Sequence, residues 1–483
     1  MNIILLTTVS GAVFQRAMSA YQLAHNCREH GYTCQVIDFI NDFTETELVE
    51  ILKRCIDDKT LCIGVSTSFF NDFKLMVGNK SELPLVVPAH IEASCRTIKN
   101  TYPNVRIVLG GAKAIEGLNF DWVDDVFLGY SEDQFLDYCN DIKSAKQLKQ
   151  KNVFDRQNYN FDISTLNHRF LKEDCILENE VLPIEISRGC IFKCKFCAFP
   201  LNGKKKLDYI RDFNEIRDEL IYNYENFGTT KYFFNDDTLN DSVFKVEGLH
   251  KIITSLPFKI EFSSWMRLDL LYKHPHTIQL LKEMGTGSTF FGIESFNSKT
   301  LKTIGKTMNP NKVKDFLLDL YYNKWNEEIP LFLGMIAGLP YDTEDSIMDH
   351  ANWLSSTPFT FHFEPLRIAD SGGSFYKSEF ELNYKDYGYD LDENGRWSNS
   401  VMNQDIAENI ATEINNRNAF SNNTVAGTFL FALLNHFDYD YLKGRPASDI
   451  SNKKLIVTRR KLIKRYKDLL FAALPINTHK DVE

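Results

Sequence analysis

The feature that most constrains this chain is a short loop with three closely spaced cysteines, Cys190, Cys194 and Cys197. Three residues separate the first pair and two separate the second, so a compact loop can turn all three sulfurs to one side. Three such thiolates can ligate one [4Fe–4S] cube and leave its remaining iron open to a small molecule. The alternatives are a zinc loop, although zinc normally takes four ligands in paired spacing, and three thiols that bind nothing.

Composition places the chain among ordinary globular proteins. At 483 residues it is too long for one typical domain, and 43% hydrophobic with 25% charged residues allows two or three sizeable cores. The formal net charge of −10 argues against nucleic acid as a general partner. Ten cysteines are too sparse for a disulfide scaffold. We recognise no signal peptide and no membrane-spanning apolar run, so we expect a cytoplasmic protein without a membrane partner.

Strand and helix patterns alternate along the first third of the chain. The predicted strands are 2–7, 34–39, 61–66, 106–109 and 125–128, with a helix over 14–30 and a polar loop over 71–88. This alternation is typical of a parallel, Rossmann-like sheet, in which ligands bind at the carboxyl ends of the strands. We assign residues 1–145 to this α/β domain and residues 146–180 to a charged linker.

The alternation resumes after the linker. The predicted strands are 182–186, 231–234, 259–264, 289–292 and 331–336, and the predicted helices are 210–226, 274–284 and 311–324. The cysteine loop follows the first of these strands. After residue 380 the pattern changes, and residues 381–483 are predicted to be a mainly helical carboxyl-terminal region with helices at 406–416, 428–435 and 455–470.

The cysteine spacing, Phe196 before the last cysteine and the Ser187-Arg188-Gly189 lead-in together resemble the signature of the radical S-adenosylmethionine (SAM) enzymes. The resemblance implies a complete or partial β/α TIM-type barrel over residues 181–380, with the cysteine loop at the carboxyl face of the strands. It implies that the cysteines ligate a [4Fe–4S] cluster whose open iron is chelated by the amino and carboxylate groups of SAM. It also places Phe196 among the cofactor contacts.

Further segments follow in the order in which this family places its SAM contacts. The first, ending in Asp236-Asp237, resembles the Asp-Asp element of the cobalamin-associated subgroup, and one of these carboxylates is expected to bind the SAM ammonium. Arg267 is expected to pair with the SAM carboxylate or a nearby acid. Glu294-Ser295 ends a Gly-Ile-Glu-Ser strand that approaches the ribose or methionine part. In the turn 338–343, resembling one near the adenine, Tyr341 and Asp342 replace a glycine and a glutamate.

The amino-terminal domain resembles the cobalamin-binding domain that commonly precedes such a barrel. Three short segments carry this resemblance, and the cofactor contacts that it implies are Ser66, Thr67, Gly110, Gly111, Gly129 and Glu132. No Asp-x-His-x-x-Gly element follows the first strand, so a bound cobalamin would have no lower histidine ligand from that loop. Phe69 and Phe70 are expected either to stack under the corrin or to fill an empty pocket. The alternative is a domain that keeps this fold without the cofactor.

Two other features invite different interpretations. Cys27, Cys62 and Cys95 are spaced nearly as in a methylthiotransferase, which uses three such cysteines to hold a second cluster, but the contexts of the first two disagree with that family. The basic run over residues 453–467 has apolar residues at helical spacing. It is either the solvated face of a packed helix or a surface for an acidic substrate, nucleic acid or partner.

These observations lead to a functional hypothesis. A radical SAM enzyme cleaves SAM reductively to a 5′-deoxyadenosyl radical, which abstracts hydrogen from a small-molecule or peptide substrate that the sequence does not identify. The resemblance implies subsequent methyl transfer that depends on cobalamin, and a reducing partner such as flavodoxin or ferredoxin. The alternatives are rearrangement or oxidation without methylation or without cobalamin, a methylthiotransferase, or a non-catalytic cluster protein.

Overall fold

The computed structural model describes residues 1–9, 14–70, 86–111, 114, 120–144, 152–155, 163–198, 208–368, 377–418 and 452–475. Most of the predicted loop 71–88 and the predicted helix 428–435 lie outside these ranges. Within them the chain forms two parallel six-stranded sheets, one after the other in sequence, and a smaller carboxyl-terminal region. No helix among the described residues is long and apolar enough to span a bilayer.

The first sheet confirms the Rossmann-like prediction. Its strands are β1 Ile3–Leu6, β2 Cys34–Ile37, β3 Cys62–Ser66, β4 Arg106–Gly110, β5 Asp125–Leu128 and β6 Asn152–Asp155. They are all parallel in the order β2-β1-β3-β4-β5-β6. The helices of this domain are α1 Met18–Glu29, α2 Glu45–Cys55, α3 Ala89–Thr101 and α4 Glu132–Lys143.

Two local predictions for this domain need correction. The first helix begins at Met18 rather than at residue 14, because Phe14 stacks on Phe39 at a centroid distance of 4.6 Å and the Ala17 N–H donates to Asp38. Strand β6 lies inside the predicted linker 146–180 and pairs with β5, so that part of the linker belongs to the first sheet.

The described remainder of the predicted linker is packed between the domains. Glu180 and Arg16 form a fully buried ion pair at 2.6 Å, and Asp174 accepts two hydrogen bonds from Arg28. Because a buried charge is stable only when it is paired, these contacts hold the linker against the first domain.

The second sheet is the partial form of the predicted barrel. Its strands are β7 Leu182–Glu185, β8 Lys231–Asn235, β9 Glu261–Met266, β10 Thr286–Glu294, β11 Leu331–Ala337 and β12 Thr360–Pro365. They are parallel and adjacent in chain order, so that β7 and β12 form the edges of an open sheet. Its helices are α5 Phe213–Phe227, α6 Val243–Ile253, α7 Leu268–Lys273, α8 His276–Glu283, α9 Ser298–Thr303, α10 Pro310–Asp319 and α11 Glu344–Ser355.

The carboxyl-terminal region is mainly helical where it is described, as predicted. It contains α12 Glu379–Asn383, a two-stranded antiparallel ribbon of β13 Asp390–Leu391 and β14 Trp397–Ser398, α13 Gln404–Asn418 and α14 Asn452–Ala473. Helix α13 packs on β12, whereas α14 returns to the first domain.

Helix α14 carries the basic run over residues 453–467, for which the sequence allowed two interpretations. Its buried face places Tyr466 and Leu470 in a core with residues of β1 and α2. On the same helix, Arg459 pairs with Asp42 at 2.6 Å and Lys467 with Glu47 at 2.7 Å. These contacts favour the interpretation of the basic run as the outer face of a packed helix.

Candidate active site

The cysteine loop begins directly after β7 and is fixed at both ends. Gly189 takes φ = +88°, a conformation that suits only glycine without strain, and its N–H donates to Asp237 Oδ2 at 3.0 Å. Further along, the N–H of Lys195 donates to the Ile304 carbonyl, and the Lys195 carbonyl accepts from the Phe380 N–H. The loop is thus held against the segment after β8, the end of α9 and the start of α12.

The three cysteine thiols lie at the accessible mouth of this loop. Cys190, Cys194 and Cys197 are half-buried, whereas the other seven cysteines of the chain are buried. The Cys190 sulfur lies 3.4 Å from the Thr238 hydroxyl, and Arg267 Nη1 donates to the Cys194 sulfur at 3.3 Å. Burial raises the pKa of the Cys190 thiol.

The donor set fits an iron–sulfur cube better than a zinc ion. None of the ten cysteines, all of which lie in the described ranges, forms a disulfide. Across the described residues, no three histidine, cysteine, aspartate or glutamate side chains are grouped closely enough to hold one metal ion. Zinc normally takes four ligands, whereas a cube with one open iron takes three. The three cysteines of this loop match the number of protein ligands that such a cluster uses.

The two aspartates after β8 have different environments. Asp236 is buried, pairs with the fully buried Lys245 at 2.9 Å and accepts the Thr238 N–H. Asp237 is exposed at the mouth, where one of its oxygens accepts the Gly189 N–H. The protein around the Asp237 carboxyl and the charge of Asp236 nevertheless raise its pKa to about 7. Asp237 is therefore the more exposed of the two carboxylates.

Arg267 lies at the end of β9 and is buried rather than part of a surface ion pair. Its Nε and Nη2 atoms donate to both carboxylate oxygens of Asp269 at 3.0 and 2.8 Å. Its guanidinium carbon lies 4.0 Å from the centre of the Phe192 ring, so the side chain is sandwiched beside the cysteine loop. Arg267 therefore contributes a fixed positive charge next to the sulfur of Cys194.

The Gly-Ile-Glu-Ser segment ends β10 in a strained bulge. Glu294 has φ = +68°, and its carboxylate pairs with Lys306 at 2.9 Å, while Lys306 also donates to the Gly292 carbonyl at 2.5 Å. Gly292, Lys306 and Asp269 line a small cavity of about 30 Å³. Ser295 is buried and accepts the Asn297 N–H, which turns the chain into α9.

Two other predicted elements take structural positions. Phe196 is partly buried and packs against the main core. In the turn after β11, Tyr341 adopts φ = +69°, the conformation of the glycine that it replaces, and Lys299 lies 3.9 Å from its ring centre. Burial raises the pKa of Asp342 to about 7, although its Oδ2 accepts the Leu339 N–H.

An aromatic row crosses the open face of the second sheet. Phe233, Trp265, Phe290 and Phe332 lie on four consecutive strands, with ring centres 4.7, 6.5 and 5.0 Å apart in that order. Trp265 is 37% exposed, and Arg267 follows the end of β9 two residues later. Sequence reasoning missed this row, although aromatic residues at alternating positions of adjacent strands are a signal for it.

A larger cavity lies at the carboxyl ends of the first sheet. Its volume is about 300 Å³, and its lining includes Ser66, Gly110, Gly111, Gly129 and Glu132, five of the six predicted cobalamin contacts. Apolar atoms from β1, β3, β4 and α1 form most of the remaining wall. A cavity at this edge of a parallel sheet is where such folds bind ligands, and its size can accommodate only part of a cobalamin.

The sixth predicted contact and the two phenylalanines lie elsewhere. Thr67 is buried, and its N–H and hydroxyl both donate to the Gly110 carbonyl, at 2.7 and 2.9 Å. Phe70 is buried in the core that contains residues of β1, α2 and α14. Phe69 is 46% exposed and does not line the cavity. Gly111, with φ = +99°, is required because a β-carbon there would approach the Ser68 hydroxyl to 2.7 Å.

Arg188 joins this cavity to the cysteine loop, and sequence reasoning missed it. The residue lies two positions before Cys190, and its Nη1 contacts Glu132 on the cavity wall at 2.5 Å. Its Nε and Nη2 donate to the two oxygens of Glu185 at 2.7 and 2.8 Å. The Ser-Arg-Gly lead-in marked the position, but its partner Glu132 is 56 residues away in sequence.

The cysteines considered for a second cluster do not converge. Cys27 and Cys62 belong to the core on the α1 side of the first sheet, whereas Cys95 belongs to the core on the opposite side. All three are buried. These positions argue against a cluster held jointly by Cys27, Cys62 and Cys95.

Comparison with known proteins gives results at three levels. Residues 184–354 match the model of the radical SAM superfamily. The chain is 23% identical over 206 residues to ribosomal protein uS12 methylthiotransferase RimO of Afipia carboxidovorans, which covers 39% of this chain and 46% of that protein. It is 26% identical over 186 residues to the uncharacterized methyltransferase PH0819 of Pyrococcus horikoshii, and this region covers 36% of this chain and 39% of that protein. The chain thus spans less than half the length of these curated relatives.

Two solved structures share the fold over most of the chain. One is the radical SAM methyltransferase TsrM from Kitasatospora setae with tryptophan and a SAM analog bound, with a TM-score of 0.57, 14% identity, and coverage of 80% of this chain and 77% of TsrM. The other is the cobalamin-dependent SAM radical enzyme OxsB with aqua-cobalamin bound, with a TM-score of 0.59, 14% identity, and coverage of 98% and 81%. Residues 184–354 therefore match a radical SAM domain, and the chain shares its fold with these two enzymes.

Proposed function

We propose that the protein is a radical SAM enzyme that uses a cobalamin to methylate its substrate. The observation that carries the proposal is the position of three half-buried thiols at the carboxyl face of the second sheet, beside Arg267 and Asp237. The match of residues 184–354 to the radical SAM superfamily supports the first part. The cavity at the carboxyl edge of the first sheet supports the second.

The residues around the loop suit the binding of SAM. Cys190, Cys194 and Cys197 would hold the cluster, and Asp237 would accept a hydrogen bond from the SAM ammonium, since Asp236 is already paired with Lys245. Arg267 places a positive charge where the SAM carboxylate approaches the open iron. When bound, the cluster supplies the one-electron reduction of SAM that gives methionine and a 5′-deoxyadenosyl radical, which abstracts hydrogen from the substrate.

The aromatic row on the open face of the second sheet suits a substrate position. Trp265 presents an exposed ring two residues before Arg267, and Phe290 and Phe332 extend that apolar surface across the next two strands. Apolar walls exclude water and so protect a reactive radical from side reactions. A small molecule or a peptide side chain can reach this surface, and an external one-electron donor such as flavodoxin or ferredoxin is the proposed reductant.

Methyl transfer depends on the first domain. A cobalamin bound there would supply a methyl group to a carbon of the substrate, and a second SAM would restore the methyl group on the cobalamin. Five predicted contacts line the cavity, and the apolar wall and the glycines at strand ends suit a flat ligand. Rearrangement or oxidation without methylation is the alternative if the domain keeps its fold without the cofactor.

Substitution of one cysteine tests the cluster site. In Cys194→Ala we expect loss of the cluster and of all SAM cleavage, because two thiolates cannot hold a cube. Cys95→Ala is the matched control, since Cys95 is buried in the first domain and should leave iron content and SAM cleavage unchanged. Iron, sulfide, methionine and 5′-deoxyadenosine are measured after anaerobic reconstitution. Full iron content or SAM cleavage in Cys194→Ala would contradict the assignment.

A methylthiotransferase is the second candidate, because RimO proteins are among the relatives. That activity would require a second cluster, and the separation of Cys95 from Cys27 and Cys62 argues against one at those cysteines. The iron content separates the two candidates, since one cluster contains four irons and two contain eight.

A further inference from the structure

We propose that Arg188 is a positioning residue that couples the first-domain cavity to the cysteine loop, so that a ligand in one site changes ligand affinity in the other. The inference rests on the proposed function and extends it, because it assigns a role to a residue outside both predicted ligand sets. It follows from the juxtaposition of one guanidinium with the wall of the cavity and the base of the loop.

On the cavity side, Arg188 contacts two lining residues. Its Nη1 atom lies 2.5 Å from Glu132 Oε1, at the first residue of α4, and its guanidinium carbon lies 4.7 Å from the centre of the Tyr130 ring. Both Tyr130 and Glu132 line the cavity of about 300 Å³. A ligand that presses on this wall therefore displaces the partners of Arg188.

On the loop side, Arg188 is adjacent in sequence to the backbone of the proposed SAM site. The backbone N–H of Gly189, the next residue, donates to Asp237 Oδ2, and Cys190 follows it. The Arg188 N–H itself donates to the Tyr209 carbonyl at 2.9 Å. A shift of the Arg188 side chain is therefore transmitted to the carboxylate proposed to bind SAM and to the first cluster ligand.

The contact is built to hold one geometry. Arg188 is 8% exposed, and Glu185 receives two parallel hydrogen bonds from its planar fork. Gln22 of α1 contacts the same assembly, since its amide donates to Glu185 and its oxygen lies 3.4 Å from Arg188 Nη2. A lysine carries the same charge but cannot reproduce the fork, so it cannot hold Glu132 and Glu185 at once.

Coupling between two binding sites is reciprocal and is measured as a ratio of affinities. We would titrate the reconstituted protein with hydroxocobalamin by visible absorption, with and without saturating SAM, and keep the cluster oxidised so that SAM is not cleaved. For the wild type we expect the two dissociation constants to differ by about 5-fold or more, the usual range for coupled sites.

Two variants and one control locate the coupling. In Arg188→Lys and in Glu132→Gln we expect the ratio to fall to about 1 with iron content unchanged, and in Arg188→Lys the separate affinities for SAM and hydroxocobalamin should stay within roughly 10-fold of the wild type. In Glu132→Gln, Arg188 keeps its hydrogen bonds to Glu185. This variant therefore tests the coupling if Arg188→Lys does not fold. Arg28→Lys is the control, because Arg28 makes a similar buried pair with Asp174 away from the cavity. It should keep the wild-type ratio.

The outcomes separate this inference from the proposed function. Loss of the ratio in both site variants and its retention in Arg28→Lys would support the inference. A wild-type protein that binds both ligands with a ratio of 1, or site variants that keep the wild-type ratio, would overturn it and leave the proposed function standing. A wild-type protein that binds no hydroxocobalamin would overturn both the inference and the cobalamin part of the proposed function.

Discussion

At the residue scale, Asp236 and Asp237 show how adjacent identical side chains take separate roles. Asp236 is turned inward, where it neutralises Lys245, whose amino group also pairs with Asp241 at 2.8 Å. Asp237 remains at the surface of the site. The sequence could not distinguish them, because both follow the end of β8 and only the buried partner Lys245 decides which one turns inward.

Replacing each aspartate by asparagine should therefore affect different quantities. Asp237→Asn should weaken SAM binding by roughly 10- to 100-fold, the value of a hydrogen bond to a charged group, with iron content and stability retained. Asp236→Asn should instead lower the free energy of unfolding by about 3 kcal/mol, because it leaves Lys245 with one carboxylate fewer in a buried site. Equilibrium dialysis with SAM and urea unfolding measure the two effects, and the reverse pattern would contradict the assignment.

Asp342 gives a second prediction at this scale, for the pH dependence of stability. Its pKa is raised to about 7, chiefly by burial, and its Oδ1 has no hydrogen-bond partner among the described residues. The unfolded chain therefore releases this proton at lower pH than the folded protein, so the free energy of unfolding falls as pH rises from about 4 to 7 and then stays level.

The variant Asp342→Asn removes this titration. Relative to the wild type, its free energy of unfolding should rise by about 2–4 kcal/mol between pH 5 and pH 8, because the wild type must bury a charge and the variant does not. Urea unfolding of the cofactor-free protein across that range checks the slope. Asp345→Asn, at an exposed position three residues later, should keep the wild-type slope. Equal slopes for wild type and Asp342→Asn would contradict the prediction.

At the scale of elements, helix α14 shows how a basic run can serve packing. The ring of Tyr466 lies under Arg16 at 4.7 Å and beside Phe39 at 5.3 Å, and its hydroxyl accepts the Asp38 N–H. Arg460, Lys461 and Lys464 on the same helix are exposed. The charges therefore surround a helix whose apolar face supplies its attachment.

Truncation of the buried ring should detach this helix. Tyr466→Ala should lower the free energy of unfolding by about 3–5 kcal/mol, as for other large buried aromatic residues. Leu469→Ala, 42% exposed on the same helix, is the control and should change stability by less than about 0.5 kcal/mol. Urea unfolding gives both values. A small loss in Tyr466→Ala would contradict the packing of α14 on the first domain.

Most strands were predictable at this scale, and the failures have physical causes. Strands such as β1 and β3 are short apolar runs bounded by turns, so pattern alone finds them. Strand β6 has only four residues, Asn152–Asp155, and ends in polar residues, so nothing but its pairing with β5 marks it. The cysteine loop was predictable because its three cysteines lie close together in sequence. The contact of Arg188 with Glu132 was not, since it forms only when two domains meet.

At the scale of the molecule, the two sheets present their carboxyl ends to a shared region. The first domain ends its strands at the cavity, the second ends its first strand at the cysteine loop, and Arg188 lies between them. The buried pair of Arg16 with Glu180 attaches the linker to the first domain. This arrangement suits a reaction in which two cofactors act on one substrate.

The central claim, that one chain binds both cofactors, is tested most directly by anaerobic reconstitution with iron, sulfide and hydroxocobalamin, followed by desalting and metal analysis. We expect about four irons and one cobalt per chain, because three cysteines would hold one cube and the first-domain cavity would receive part of one cobalamin. Four irons without cobalt would reject the cobalamin assignment and favour a non-methylating radical SAM enzyme. A protein without iron after reconstitution would contradict the account as a whole.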